Sequence, residues 1–280
     1  MDAHFRAFSF VDRIHAIQRG ARIRGSYAIP AAIESFPAAL VTEAVGQLAA
    51  WAAMAAMDFK CRPVAGLAAS IELLDRVCPG QVLELAADLE TVDSDAVAYG
   101  GTAYVNGSPV IRLQHCVGPM LPLEEFDDPQ KLRERFALLQ GAGAMPGTFG
   151  GLPSFALAPT DGAAGRSLRA TLHVPTSAPF FDDHFPRRPV FPGTLLMNSN
   201  LQLAATLADQ LPPPAAGGRW ALRGISDMKL RAFTPPGETL EIQARLCQLS
   251  AEVAAVSVGT RKGKRIISGA RVLLAPEERS

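Results

Sequence analysis

Four cysteines in 280 residues, Cys61, Cys78, Cys116 and Cys247, form no CxxC pair. That excludes a thiol redox motif and leaves reduced thiols acting as small hydrophobes in an intracellular chain. Neither sign of charge is in excess, with 27 Lys and Arg against 27 Asp and Glu. A long phosphate-tracking surface is therefore not expected, nor is a nucleic-acid partner. Long apolar runs are missing too. The longest, Leu48 to Met57, lies between Gln47 and Asp58; it is too short to span a bilayer and suits a buried helix. Met1-Asp2-Ala3-His4-Phe5-Arg6 lacks a basic stretch leading into an apolar one, so no signal peptide is expected. The sequence reads as soluble and cytoplasmic. It has no glycine-rich nucleotide loop, no Gly-x-Ser-x-Gly elbow and no paired-aspartate motif. His4, His15, His115 and His173 have no metal-ligand partners nearby in sequence. No metal and no cofactor are called for.

What is present is a core-forming composition, 48% hydrophobic and 19% charged, arranged twice. Pro37, Leu40, Gln47 and Ala49-Ala50 recur as Pro192, Leu195, Gln202 and Ala204-Ala205, at an offset of 155. Each proline stands where a missing backbone donor is tolerated, at a helix start. Ala, Leu, Met and Gln then dominate, apolar nearly all round, which predicts two enclosed helices. Upstream, Phe10, Gly20, Tyr27 and Pro30 match Phe155, Gly165, Leu172 and Pro175 at an offset of 145. The second copy thus holds ten extra residues between its first strand pair and its helix. Downstream, Ile71-Glu72-Leu73 matches Met228-Lys229-Leu230, and Pro79-Gly80 matches Pro236-Gly237, at 157. Strand-like runs follow each Pro-Gly: Val82 to Leu89, Val97 to Tyr104 and Val110 to Val117, then Thr239 to Leu246, Val253 to Thr260 and Arg265 to Leu274. Tight turns fit Asn106-Gly107 and Lys262-Gly263-Lys264.

Each unit therefore reads as a strand pair, a buried helix, then antiparallel strands curled over that helix. Two such units can join edge to edge, removing exposed strand edges. The expected division is 1–122, a crossover with a short charged helix at 123–154, and 155–280. The chain can complete a two-unit body as a monomer or assemble further as a homo-oligomer.

The ten extra residues fall within Pro175-Thr176-Ser177-Ala178-Pro179-Phe180-Phe181-Asp182-Asp183-His184-Phe185-Pro186-Arg187-Arg188-Pro189-Val190-Phe191-Pro192-Gly193. This stretch resembles the signature of the hotdog-fold 3-hydroxyacyl-[acyl-carrier-protein] dehydratases, in which a His-Phe-Pro loop precedes a Pro-Gly helix start. Gly224 to Gly237 resembles the family's next strand and turn. The resemblance implies an α+β tandem double hotdog and a site completed across two units, histidine from one and a helix carboxylate from the other. Fourteen residues after His184 the acidic position holds Asn198, with Gln202 one turn on. At the matching first-half position stands Glu43, but that half lacks the histidine loop. The losses are complementary: His184 and Glu43 are expected to form one complete site, and the Asn198/Gln202 side a degenerate one. Arg187 stands where the family often has glycine, so the loop's shape departs from the pattern.

On this reading His184, near pKa ~6.5, abstracts the C2 proton of a 3-hydroxyacyl thioester. Glu43, desolvated on an apolar helix, protonates the departing hydroxyl. Gln47 orients the carboxyl from one turn away, and backbone N–H groups at Gly193 or Ala38 stabilise enolate-like charge. Phe180, Phe181, Phe185 and Met197 are candidates for a lipophilic lining. Arg187 and Arg188 face a phosphopantetheine phosphate or an acidic carrier, or are an ordinary solvated pair. Asp182 and Asp183 shape the loop. The substrate would ride on acyl carrier protein or coenzyme A, in fatty acid, polyketide or specialised lipid assembly. A hotdog thioesterase or isomerase, or a non-catalytic acyl-thioester or carrier-protein binding subunit, is the alternative, since fold alone does not decide chemistry.

Overall fold

The computed structural model describes residues 4–146, 148–153, 155–215 and 217–277. Gly147 and Ser154 of the expected connector, Ala216 of the loop after the second helix, and both extreme ends lie outside the described residues.

The first half runs β1 (Arg13–Gln18), β2 (Arg22–Ala28), α1 (Ala38–Ala56), β3 (Cys61–Pro63), β4 (Leu67–Leu73), β5 (Val82–Val92), β6 (Ala96–Val105) and β7 (Ser108–Pro122). A 3₁₀ turn at Leu123–Glu125 and α2 (Pro129–Gln140) follow. The second half runs β8 (Leu157–Ala163), β9 (Ser167–His173), a 3₁₀ turn at Pro179–Asp182, α3 (Gly193–Ala208), β10 (Arg219–Leu230), β11 (Thr239–Leu249), β12 (Ala254–Lys262) and β13 (Arg265–Glu277). All strands join one antiparallel sheet, ordered β1-β2-β5-β6-β7-β4-β10-β13-β12-β11-β9-β8, with β3 paired to β7 beside it. Read inward from each edge, the two halves have the same order.

The sequence dictates the elements locally. Pro37 and Pro192 cap α1 and α3 without a side-chain hydrogen bond. Asn106 and Gly107 both take positive φ, 51° and 76°, as a two-residue hairpin turn requires. Alternation places Leu83, Leu85 and Ala87 of β5 inward, and likewise Leu240, Ile242 and Ala244 of β11. These faces wrap α1 and α3 respectively. Leu40, Val45 and Leu48 of α1 are fully buried; emptying such a site, as in Leu48→Ala, costs about 2–5 kcal/mol. At 19 residues α1 extends well beyond its longest apolar run and has the length and hydropathy of a membrane span, but it is mostly buried inside this sheet. In the crossover, Asp128 accepts from the N–H groups of Gln130 and Lys131 to start α2. Phe136 of α2 then stacks on Trp51 of α1, ring centres 6.0 Å apart.

The halves meet through β4 and β10, and the register there is symmetric. Ile71 pairs with Ile225 and Ala68 with Met228. By the offset of 157, Ile225 is the equivalent of Ala68 and Met228 that of Ile71. Leu67 with Lys229 and Glu72 with Gly224 repeat the relation. Thus where one residue pairs with the equivalent of a second, the second pairs with the equivalent of the first, the rule of a two-fold interface, here within one chain.

Candidate active site

The extra residues of the second half form the loop between β9 and α3. In that loop the N–H of His184 bonds to the Phe180 carbonyl at 2.9 Å, and that of Val190 to the His184 carbonyl at 3.1 Å. The His184 ring stacks on Phe185, 4.0 Å between centres, and meets the edge of Phe8 at 5.7 Å. Its Nδ1–H donates to the Val190 carbonyl at 3.2 Å. A neutral imidazole with hydrogen on Nδ1 keeps a lone pair on Nε2. Burial, reinforced by the nearby Arg62 cation, pulls the His184 pKa down to about 4. The ring is therefore neutral, and basic at Nε2, across the physiological range.

Glu43 comes from α1. Thr194 Oγ1, in the first turn of α3, donates to its Oε2 at 2.7 Å, and Gln47 Nε2 donates to its Oε1 at 2.9 Å. Burial raises the Glu43 pKa above the ordinary carboxylate range, against the lowering effect of these two bonds and of Arg62. Gln47 does more than orient Glu43. Its Nε2 also donates to the Phe8 carbonyl, and its Oε1 accepts from the Phe10 N–H, both at 2.8 Å. It thereby clamps the segment before β1 across the site. Asp183 holds the same segment, its carboxylate accepting from the N–H groups of Phe5, Ala7 (2.8 Å) and Phe8 (2.6 Å).

His184 and Glu43 line one cavity of about 810 Å³, together with Phe8, Gln47, Arg62, Phe185, Gly193 and Thr194. Both retain some accessible surface because they face that space. Its walls continue over apolar residues such as Trp51, Met54, Ile71 and Val97. Arg188, Arg231 and Arg265 also border it.

Several expected positions resolve into different places. Of the two helix starts, Gly193 borders the cavity and Ala38 does not. A Cβ on Gly193 would sit 2.4 Å from Leu230 Cδ1, a contact that the end of the Leu230 side chain would have to move to relieve. Phe185 borders the cavity, whereas Phe180, Phe181 and Met197 do not. They are core: Phe180 packs on Phe8, Phe181 and Phe191, and Met197 lies on the buried face of α3. Asn198 is half-buried away from the cavity and Gln202 is exposed. Beside Asn198, Asn200 is fully buried, bonded to Ser268 and Thr260. Arg187 bonds to Asp128 (3.3 Å) and the Glu124 carbonyl, and Arg188 pairs with Glu125 at 3.4 Å. The pair therefore ties the loop to the crossover, and only Arg188 reaches the cavity. Asp182 is exposed.

Sequence reasoning missed Thr194 and Arg62. Thr194 was legible as a hydroxyl in the first turn of an apolar helix; Arg62, between Cys61 and Pro63, gave no local signal. Burial lowers the Arg62 pKa to about 10, with Asp127 and Glu43 opposing, so it remains a cation at neutral pH. Among the described residues no group of three or more His, Cys, Asp or Glu side chains is placed to hold a metal ion.

Residues 161–270 match the ApeI-like family of ApeI dehydratases. A 3-hydroxyacyl-[acyl-carrier-protein] dehydratase FabZ from Shewanella oneidensis is 26% identical over 123 residues, covering 42% of this chain and 79% of that protein. The FabZ of Desulforamulus reducens is 30% identical over 112 residues, covering 40% of this chain and 78% of that one. Among solved structures, a protein assigned as an oleoyl thioesterase from Lactobacillus plantarum superposes with a TM-score of 0.61 at 10% identity, over 93% of this chain and 98% of its own. The 12:0-ACP thioesterase of Umbellularia californica gives 0.57 at 9%, over 91% and 94%. The fold is that of the hotdog proteins, with helices cradled in one large antiparallel sheet. Within that class the chain belongs to the 3-hydroxyacyl-[acyl-carrier-protein] dehydratase family.

Proposed function

We propose that this protein dehydrates a 3-hydroxyacyl thioester to the trans-2-enoyl thioester at one site shared by its two halves. The chain is read as a tandem double hotdog, units 1–122 and 155–280 joined by the crossover 123–154. The observation that carries the reading is that His184 and Glu43, from opposite halves, both line one cavity. His184 Nε2 takes the C2 proton. The electrons of that C–H bond form the C2–C3 double bond, the C3–O bond breaks, and Glu43 delivers its proton to the leaving oxygen as water forms. The uncapped first turn of α3, at Gly193 and Thr194, supplies N–H donors for the thioester oxygen as charge builds there. Thr194 also bonds to Glu43, which couples the oxyanion donors to the acid.

The opposed pKa shifts support the division of roles. Burial leaves the base neutral above about pH 4 and keeps the acid protonated above its usual range, so both correct states coexist between the two values. The scheme uses side chains, backbone donors and the substrate's own thioester, and needs no separate cofactor. Family membership and the acyl-ACP names of relatives support a carrier-protein or coenzyme A thioester as substrate, with fatty acid or polyketide assembly as the setting.

The test is a panel of 3-hydroxyacyl thioesters on acyl carrier protein and on coenzyme A, followed in both directions for enoyl formation and hydration. Enoyl thioester formed without free thiol is expected. Free acid and thiol released with no enoyl product would replace dehydration by hydrolysis.

A further inference from the structure

Arg62 is a largely buried cation that the dehydration scheme does not use. It stands on β3, reached as the chain turns back after α1, and borders the cavity with Glu43 and His184. Its guanidinium carbon lies 3.8 Å from the centre of the Phe185 ring, the same ring on which His184 stacks. A guanidinium lying over an aromatic face directs its N–H bonds outward in its own plane.

Two of those N–H groups have no partner among the described residues. These are on Arg62 Nε and Nη1, both buried, while 13% of the side chain stays accessible. The facing carboxylate, Asp127, stops at 3.8 Å, beyond hydrogen-bond range. Its oxygens instead meet His4 Nε2 at 3.2 Å and the Asp128 N–H at 2.7 Å. The other carboxylate acting on Arg62, Glu43, is engaged as well, by Thr194 and Gln47. Phe126, Phe185 and Val190 form an apolar cluster at this end of the cavity, where unmet donors are costly and a met one is strong. The planar donor array of arginine suits carbonyl and carboxylate oxygens.

We infer that Arg62 is a ligand-binding residue that takes a carbonyl or carboxylate oxygen of the bound acyl thioester at the Phe185 side of the cavity. The inference rests on reading the cavity as a thioester site, and holds whichever reaction follows there. Two parts of such a ligand carry this oxygen chemistry: the acyl chain, through a carboxylate or keto group, and the thioester or pantetheine arm, through its carbonyls.

Equilibrium binding of three unreactive pantetheine conjugates separates them. The first is an S-alkyl thioether, the second a ketone analogue with methylene in place of the thioester sulfur, and the third an S-alkyl thioether ending in a carboxylate. Arg62→Met is expected to weaken at least one of them roughly tenfold at an unchanged melting temperature, the size of one lost charge-assisted bond. Loss on the ketone alone assigns the thioester oxygen, loss on the carboxylate alone an acyl-chain oxygen, and loss on all three the pantetheine carbonyls. If Arg62→Met also lowers the melting temperature, Arg62→Lys decides, because it keeps charge and stem but not the planar array. No conjugate weakened more than about fivefold by the deciding variant overturns the inference. None of the conjugates can be dehydrated. A failed dehydration assay would thus remove the reaction while leaving this result standing, and parent-like binding beside intact dehydration would remove only the role of Arg62.

Discussion

At one position of the repeat α1 carries Glu43 and α3 carries Asn198; one turn later α1 has Gln47 and α3 has Gln202. The helices share their capping, their apolar character and their place under a sheet. Gln47 nonetheless makes three hydrogen bonds and borders the cavity, while Gln202 is exposed. The cause lies outside the helices. The segment before β1 folds over α1, its backbone held by Gln47 and Asp183, and gives that side of the molecule a roof. The long loop after β9 then brings His184 to the same side. A symmetric frame, fixed by the two-fold register of β4 and β10, thus carries an asymmetric site.

Four changes would sharpen or break this contrast. The largest effect is expected for the pair itself. His184→Ala or Glu43→Gln should each lower kcat about a thousandfold, the scale of a lost general acid or base, with enoyl formation as the readout. Next is pH. The kcat/KM profile should fall tenfold per unit as pH drops below about 4, where His184 gains its proton, and fall again as pH rises through the elevated Glu43 value. Glu43→Gln should abolish the alkaline limb along with most of the activity. The same variant should melt higher than the parent at alkaline pH. A carboxyl whose folded pKa is raised holds its proton more tightly in the folded state, so its contribution to stability fades as pH rises through that pKa.

A smaller effect separates the two glutamines. Gln47→Ala strands the Phe8 carbonyl and the Phe10 N–H and should destabilise the fold by about 1–3 kcal/mol, read by chemical denaturation. Gln202→Ala should change stability by less than about 0.5 kcal/mol. Smallest of all, Asn198→Ala should leave turnover within about twofold of the parent, as expected for a change at a half-buried position away from the cavity. A large loss there would mean that the second side of the repeat takes part.

Much of the frame could be read from the sequence because it depends on local patterns. Pro37 and Pro192 mark both helix starts, Pro79-Gly80 and Pro236-Gly237 mark equivalent turns with φ of 85° and 78° at the glycines, and the strand runs following them fall where expected. The candidate pair was legible for another reason: His184 sits in a patterned loop, and Glu43 interrupts an apolar helix. What the sequence hid depends on paths through space. Phe180 and Phe181 stand beside the histidine in sequence yet turn into the core, while Phe8, far away in sequence, supplies a ring against it. Arg62 has no neighbouring motif. Its role emerges only where β3 meets the Phe185 loop and the crossover carboxylate Asp127.

The central claim is that one chain builds one site from both halves. The most direct test mixes purified His184→Ala and Glu43→Gln proteins and measures dehydration. With both groups drawn from a single chain, each variant keeps a broken site, and the mixture should be as inactive as its components at every ratio. Activity that returns on mixing and rises with concentration would show histidine and carboxylate coming from different chains, and would contradict the account.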